Sequence, residues 1–209
     1  MDLALAATVF VTIFVVELPD KTFIATLVLA TRYRPLLVWI GVASAFLVQT
    51  VVAVLFGGLI SRLPETPVHL LVAALFLAAG ILLIRGAAKA DSEEAATEEE
   101  FAGKAAADAS GLKAVSASFL ILFLAEWGDL SQLATAGFVA RGGIALSVGI
   151  GAFAALALVS ALGAVIGRAL LKRLRLAVIR RVGGGICLLF AALVVAQLLG
   201  VELPSWFPV

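Results

Sequence analysis

Two short stretches hold the residues best suited to chemistry. The first is Glu17-Leu18-Pro19-Asp20-Lys21-Thr22, and the second is Glu126-Trp127-Gly128-Asp129-Leu130-Ser131-Gln132. Each sets two carboxylates three residues apart, which places them about 60° apart on one face of an unbroken helix. Thr22, Ser131 and Gln132 add hydroxyl and amide oxygens, so every candidate ligand is an oxygen. The single Cys, Cys187, and the single His, His69, lie far from both motifs in the chain. This donor set disfavours copper or zinc and fits hard cations such as Ca²⁺, Mn²⁺ or Mg²⁺.

The surroundings make these acids costly. Fourteen largely apolar residues precede Glu17 and ten uncharged ones follow Lys21, so neither piece spans a bilayer without the other. A charge at the centre of a membrane helix costs roughly 2.5–3.5 kcal/mol, and five isolated charges would cost about 12–18 kcal/mol. Lys21, four residues after Glu17, is placed to act as charge partner for one acid but not for four. Pro19 leaves the carbonyl of Val15 without its helical donor, and Gly128 is the weaker breaker of the second motif. Freed carbonyls beside carboxylates are cation ligands. In a straight helix Thr22 points about 140° away from Glu17, so it joins the site only if the chain unwinds near Pro19. Four carboxylates and Lys21 sum to −3, and a divalent ion leaves −1. An emptied site therefore takes up protons. A site that holds metal and protons in alternation performs cation/proton exchange.

The elements that carry these motifs are membrane helices. Of the 209 residues 63% are hydrophobic and only 14% charged, against roughly 25% charged in soluble domains. The net charge of +1 gives no reason to expect a nucleic-acid partner. Uncharged runs at Leu36–Ser61, Gly142–Gly167 and Val182–Val201, with Thr66–Ile84 broken only by His69, are long enough to span. Leu3–Thr31 and Ala114–Ala140 are as long but carry the acids. The expected fold is an all-α integral membrane protein of six transmembrane helices. The runs are too long and too uniform for barrel strands. The first lacks the basic flank of a signal peptide. Twelve of the fifteen Lys and Arg residues fall in the loops after the first, third and fifth spans, and two fall on the other side. That bias puts the odd loops in the cytoplasm and both termini outside.

The chain also resembles itself at an offset of 109 residues. Phe14, Glu17, Asp20, Ala25, Thr26 and Arg32 correspond to Phe123, Glu126, Asp129, Ala134, Thr135 and Arg141. Three spans per half make the second copy inverted, an arrangement used by transporters whose site lies at the repeat interface. The expected organisation is a first repeat at 1–86, a linker at 87–113 and a second repeat at 114–209, forming one structural domain. Asp91–Glu100 holds six acids and no base. It reads as a solvated cytoplasmic linker, disordered or partly helical.

At its two motifs the chain resembles the Gcr-dependent translation factor (Gdt-type) family, placed within the lysine-exporter superfamily. These are six-helix cation/proton exchangers whose hallmark is Glu-x-Gly-Asp-Lys/Arg-Ser/Thr in the first and fourth helices. The resemblance implies export or compartmental loading of Mn²⁺ first, with Ca²⁺ second, in Golgi, chloroplast or bacterial inner membranes. Scarce Cys and short loops suit a bacterial protein, so export from the cytoplasm across a bacterial inner membrane is the expectation. It implies a metal site of Glu17, Asp20, Glu126 and Asp129, with Thr22, Ser131 and Gln132 auxiliary. Pro19 stands where the family has Gly, and Leu130 where it has a base. The metal is substrate, and no cofactor is expected. Metal ions, protons and the bilayer are the expected partners, and homo-oligomerisation is left open.

Two rival readings remain at this stage. A passive channel or uniporter needs no proton-binding excess of charge. An intramembrane metal-dependent enzyme usually wants a His ligand and an activated water. Other polar residues read as structural. Gln49 and Gln197 are interhelical glue, with Gln49 also placed to line a pathway. Ala53/Gly57 and Gly163/Gly167 are close-packing pairs. Gly183–Gly185 is a hinge or a tight contact. Trp39 and Trp206 are interfacial anchors, Trp127 a wall between site and lipid, and His69 a loop-edge residue.

Overall fold

The computed structural model describes residues 1–18, 21–105, 109–171 and 176–201; those residues form helices and connecting turns, with no strand among them. In chain order the helices are α1 (Leu3–Glu17), α2 (Lys21–Arg32), α3 (Pro35–Ile60), α4 (Glu65–Gly86), α5 (Ala90–Lys104), α6 (Leu112–Ala125), α7 (Leu130–Ala140), α8 (Ala145–Leu171) and α9 (Leu176–Leu198). Local chemistry sets several starts. The Asp2 carboxylate accepts from the backbone N–H groups of Ala4 and Leu5 at 2.9 and 3.0 Å, an N-cap for α1. Pro35 opens α3, where its missing N–H costs nothing.

Four stretches are long and apolar enough to cross a membrane unbroken: Pro35–Ile60, Thr66–Lys89, Ala145–Ile166 and Arg180–Leu198. The other two expected spans are not single helices. α1 with α2, and α6 with α7, are pairs each bent by 69°. The chain therefore has four to six candidate spans, depending on whether a bent pair counts as one. At 12 and 11 residues, α2 and α7 are about 18 and 16 Å long, well short of a bilayer core of about 30 Å. They are also wrapped by protein. Thr22 to Leu29 are all buried, as are Ser131 and Ala134 to Ala140.

Each bent pair packs along a long helix from the other half. Asp2 N–H donates to Ser147 Oγ at 2.8 Å, Gly151 abuts the carbonyl of Ala6, and Gly163 lies against Phe23 and Thr26. The α1–α2 pair thus advances along α8 in the same sense. Likewise Gly41 abuts Val115 and Ser118, Gln49 bonds to Phe123, and Gly57 lies against Ala136 and Val139. The α6–α7 pair thus advances along α3. The long helices α3 and α8 run oppositely, with Trp39 against Ala157 and Val54 against Gly149. Gly57 and Gly163 allow the close approaches, since a Cβ would sit 2.5 Å from the Ala136 carbonyl oxygen and 2.9 Å from that of Phe23.

α4 and α9 form the remaining large contact, centred on Gly80 and Gly184. Gly184 is therefore a tight contact inside a continuous helix. The Trp39 indole N–H donates to the Ala157 carbonyl at 2.9 Å and so ties α3 to α8. Trp206 lies outside the described residues.

The acidic linker is a folded element. α5 packs on α2 and, less extensively, on α9. Phe101 is buried among core residues, with Ala87 and Ala90 buried beside the turn that precedes α5. Arg180 of α9 pairs with Glu93 and also donates to the Gly86 carbonyl at 3.0 Å. Burying one aromatic ring and two small side chains gives an otherwise polar helix enough apolar contact to dock.

Candidate cation site

The second motif occupies the bend between α6 and α7. Gly128 makes the turn with φ +76°, a conformation that suits glycine. A Cβ at Gly128 would meet nothing within 4 Å, so backbone conformation, not space, selects the residue. The turn separates the two acids. Glu126 is the C-cap of α6 and Asp129 the N-cap of α7. The sequence expectation of one shared helical face is therefore corrected here, because the left-handed residue between the acids ends one helix before the next begins.

Their electrostatic settings differ. Asp129 Oδ1 accepts from the backbone N–H of Gln132 at 2.9 Å and Oδ2 from the Ser131 hydroxyl at 3.0 Å. It sits at the amide end of α7, where a negative charge is favoured. Glu126 is fully buried at the carbonyl end of α6, where a negative charge is disfavoured. A cation or a proton there offsets both penalties. Gln132 does not extend its amide as a free ligand. Its Nε2 donates to the Glu126 carbonyl at 2.6 Å and its Oε1 accepts from Gly128 N–H at 3.2 Å.

The first motif follows the same plan as far as it is described. Glu17 is the last residue of α1 and fully buried. Pro19 and Asp20 lie outside the described residues. Thr22, in the first turn of α2, is fully buried, and its hydroxyl makes no hydrogen bond among the described residues. The helices do part between Glu17 and Thr22, the condition the sequence set for Thr22 to join the site. Thr26 donates to the Thr22 carbonyl at 2.8 Å, and Thr135 donates to that of Ser131 at 2.7 Å, so this bond recurs in the two half-helices, while the hydroxyls of Thr22 and Ser131 differ in their bonding. Lys21 is exposed. The Glu100 carboxyl of α5 is held below its ordinary range by its hydrogen bond to Lys104 and by that charge, with a smaller contribution from Lys21.

The two motifs adjoin through their neighbours, since Val16, Leu130, Leu133 and Ala134 line one small apolar cavity. Among the described residues no three His, Cys, Asp or Glu side chains form a group able to hold a metal ion. Gln49 of α3 donates to the Phe123 carbonyl at 3.1 Å and is the strut between the halves that the sequence allowed. Gln197 accepts from the buried Arg141 at 2.7 Å. His69 is half-buried and lines a cavity of about 220 Å³ together with Ser61, Arg141 and Gln197 and the apolar Leu63 and Val68. Trp127 is 57% exposed and packs on Phe123, so it flanks the motif from outside.

Sequence reasoning missed two buried hydroxyls, Thr50 and Ser118, that make no hydrogen bond among the described residues. Serine and threonine are common in membrane helices, so their types alone carry no signal. It also missed the capping role of Asp129 and Gln132, although an N-cap acid with Gln three residues on is a capping-box pattern.

The model of a divalent cation/proton antiporter family, GDT1, matches residues 5–91 and 114–201. This chain belongs to that family. A GDT1-like protein of the cyanobacterium Synechocystis is 32% identical over 187 residues, covering 86% of this chain and 90% of the relative. A chloroplastic GDT1-like protein 1 of rice is 30% identical, covering 92% of this chain and 62% of its own length. Protein PAM71 of Arabidopsis thaliana, also chloroplastic, is 29% identical, covering 92% of this chain and 56% of its own length. The chain thus spans somewhat over half of these plant relatives. No solved structure matches. Family and apolar helices together make this GDT1 family member a multi-pass membrane protein from a transporter family, not an enzyme family.

Proposed function

We propose that the chain exchanges a divalent cation, Mn²⁺ first and Ca²⁺ second, for protons, and exports the metal from the cytoplasm of a bacterium across its inner membrane. The observation that carries this reading is the bend at Gly128, where a buried acid ends one half-helix and a capped acid begins the next. Broken helices of this kind supply both backbone carbonyls and carboxylates to ions. The metal site would comprise Glu17, Asp20, Glu126 and Asp129, with Thr22 and Ser131 auxiliary. Its all-oxygen chemistry favours a hard divalent ion. Glu17 and Glu126 are both fully buried at the carbonyl ends of their helices, where a negative charge is disfavoured, so either would be a place for a proton when the metal has left.

The architecture proposed is six spans in two inverted repeats, with both termini outside. Its support is directional. α1 runs with α8, α8 runs against α3, and α3 runs with α6. The equivalent helices α1 and α6 therefore run in opposite senses.

The test uses proteoliposomes with a trapped pH dye. Mn²⁺, Ca²⁺, Mg²⁺ and Na⁺ are added outside in turn, to wild type and to Glu126→Gln. Proton loss from the lumen that needs both a divalent ion and Glu126 is the expected result. Metal entry without proton movement would replace the exchanger with a channel or uniporter.

A further inference from the structure

Gln49 lies in the middle of α3, within an uncharged apolar run, and is 1% exposed. An amide in that position must be satisfied or used. Half of it is satisfied, since Nε2 donates to the Phe123 carbonyl at 3.1 Å. That carbonyl is available because α6 ends at Ala125, two residues on, leaving its last carbonyls without helical donors. Gln49 thus caps, from the first half of the chain, the broken helix that carries the second acidic motif. The acceptor also fixes which end of the amide faces α6, since only the NH₂ end can donate. The other end, Oε1, is buried and makes no hydrogen bond among the described residues. Phe123 precedes Glu126 by three residues, about one helical turn.

The corresponding place in the other half differs. Gly41 seats α3 on α6 at Val115, and Gly151 seats α8 on α1 at Ala6. Ala6 is the counterpart of Val115 under the 109-residue repeat. Eight residues beyond Gly41 is Gln49, and eight beyond Gly151 is Val159, which is fully buried. The 109-residue offset itself aligns Leu158 with Gln49, so by either alignment the other half has an apolar residue where this one has an amide. Packing symmetry gives no reason for the amide.

We infer that Gln49 is a specificity-determining residue, whose amide nitrogen fixes the end of α6 and whose Oε1 is a neutral ligand for the transported cation. This rests on the exchange reading above. A neutral oxygen raises the coordination number without adding charge. Ca²⁺ accepts six to eight oxygens, including Gln carbonyls, in flexible geometry, whereas Mg²⁺ demands a near-ideal octahedron and keeps its waters. The amide therefore favours the larger ion and does little for Mg²⁺.

The test is thermal unfolding of the purified full chain in detergent, titrated with Ca²⁺, Mn²⁺ or Mg²⁺. The variants are Gln49→Met, apolar and of similar length, and Gln49→Glu, which keeps an oxygen and adds charge. Gln49→Met should need about tenfold more Ca²⁺ for the same upward shift in midpoint, with the Mg²⁺ titration unmoved. Gln49→Glu should need less Ca²⁺ than wild type. Ca²⁺ titrations that coincide with wild type in whichever variant folds would reduce Gln49 to a structural cap and overturn the inference. Because this readout is binding, it separates the two readings. Wild type that Ca²⁺ protects but that moves no protons overturns exchange and leaves the assignment of Gln49 to be decided by the variants.

Discussion

The side chain of Gln132 bridges the bend that separates the two acids of the second motif, donating to the Glu126 carbonyl at 2.6 Å while accepting from Gly128 N–H. The bond closes the turn from the α7 side. It sets where Glu126 ends α6 and how far Gly128 opens the chain. Replacing Gln132 by Met, of similar size but without the amide, removes both bonds. A loss of about 1–3 kcal/mol is expected, read as a lower unfolding midpoint in detergent. Transport should weaken through a raised KM for the metal, since the acids remain but their spacing loosens. A KM equal to wild type would show that the turn holds without its bridge.

Asp129 does two jobs that can be separated. It N-caps α7 through Oδ1 and carries a charge beside the bend. Asn caps as well as Asp but is neutral. Asp129→Asn should therefore unfold close to the wild-type temperature while losing metal-coupled proton movement. Asp129→Ala should lose the cap as well, at about 0.5–2 kcal/mol. If Asp129→Asn exchanged normally, the carboxylate would be a cap alone and the shared four-acid site would be wrong. Leu130→Lys, which adds a base beside it, should shift the pH dependence of transport, and an unchanged profile would show that charge at this position is unimportant.

The sequence made some of these elements plain and hid others for definite reasons. Uninterrupted apolar runs marked α3, α4, α8 and α9, because membrane length and hydrophobicity suffice to specify a straight helix. The bend at Gly128 was visible as a breaker between acids. Its consequence was not, since the three-residue spacing of Glu126 and Asp129 reads as one face until a positive φ intervenes. The bridging role of Gln132 was hidden behind its reading as an auxiliary ligand, because caps and cation sites draw on the same oxygen-bearing side chains. The docking of α5 was hidden by its six acids, which outnumber the single ring of Phe101 that holds it. The partner of Gln49 could not be read at all, as it depends on the register of two helices from different halves.

Adjacent glycines in α3 offer a paired test of the close approach to α7. A Cβ at Gly57 would lie 2.5 Å from the Ala136 carbonyl oxygen, while one at Gly58 would meet nothing within 4 Å. Gly57→Ala should cost about 1–3 kcal/mol through overpacking. Gly58→Ala should gain about 0.5–1 kcal/mol, the ordinary benefit of removing a helical glycine. Unfolding midpoints of the two variants should therefore move in opposite directions. Equal shifts would mean that α3 and α7 are not in contact at this point.

The last prediction concerns α5, whose attachment to the bundle rests on few contacts. Phe101 is buried and Arg180 holds Glu93, while the Glu100–Lys104 pair is exposed and contributes little to docking. Phe101→Ala should remove the main apolar anchor at a local cost of about 3–5 kcal/mol. That is enough to release a short polar helix without unfolding the spans, which keep their own core. Limited proteolysis should then cut within Ala90–Lys104 much faster than in wild type, with the unfolding midpoint of the remainder little changed. Glu93→Gln should give a smaller increase in cleavage, since it breaks one half-exposed ion pair and leaves the ring in place. Because α5 covers α2, which begins at the first acidic motif, release should also change the rate of exchange. Unaltered cleavage of Phe101→Ala would mean that α5 is held by something other than its one buried ring.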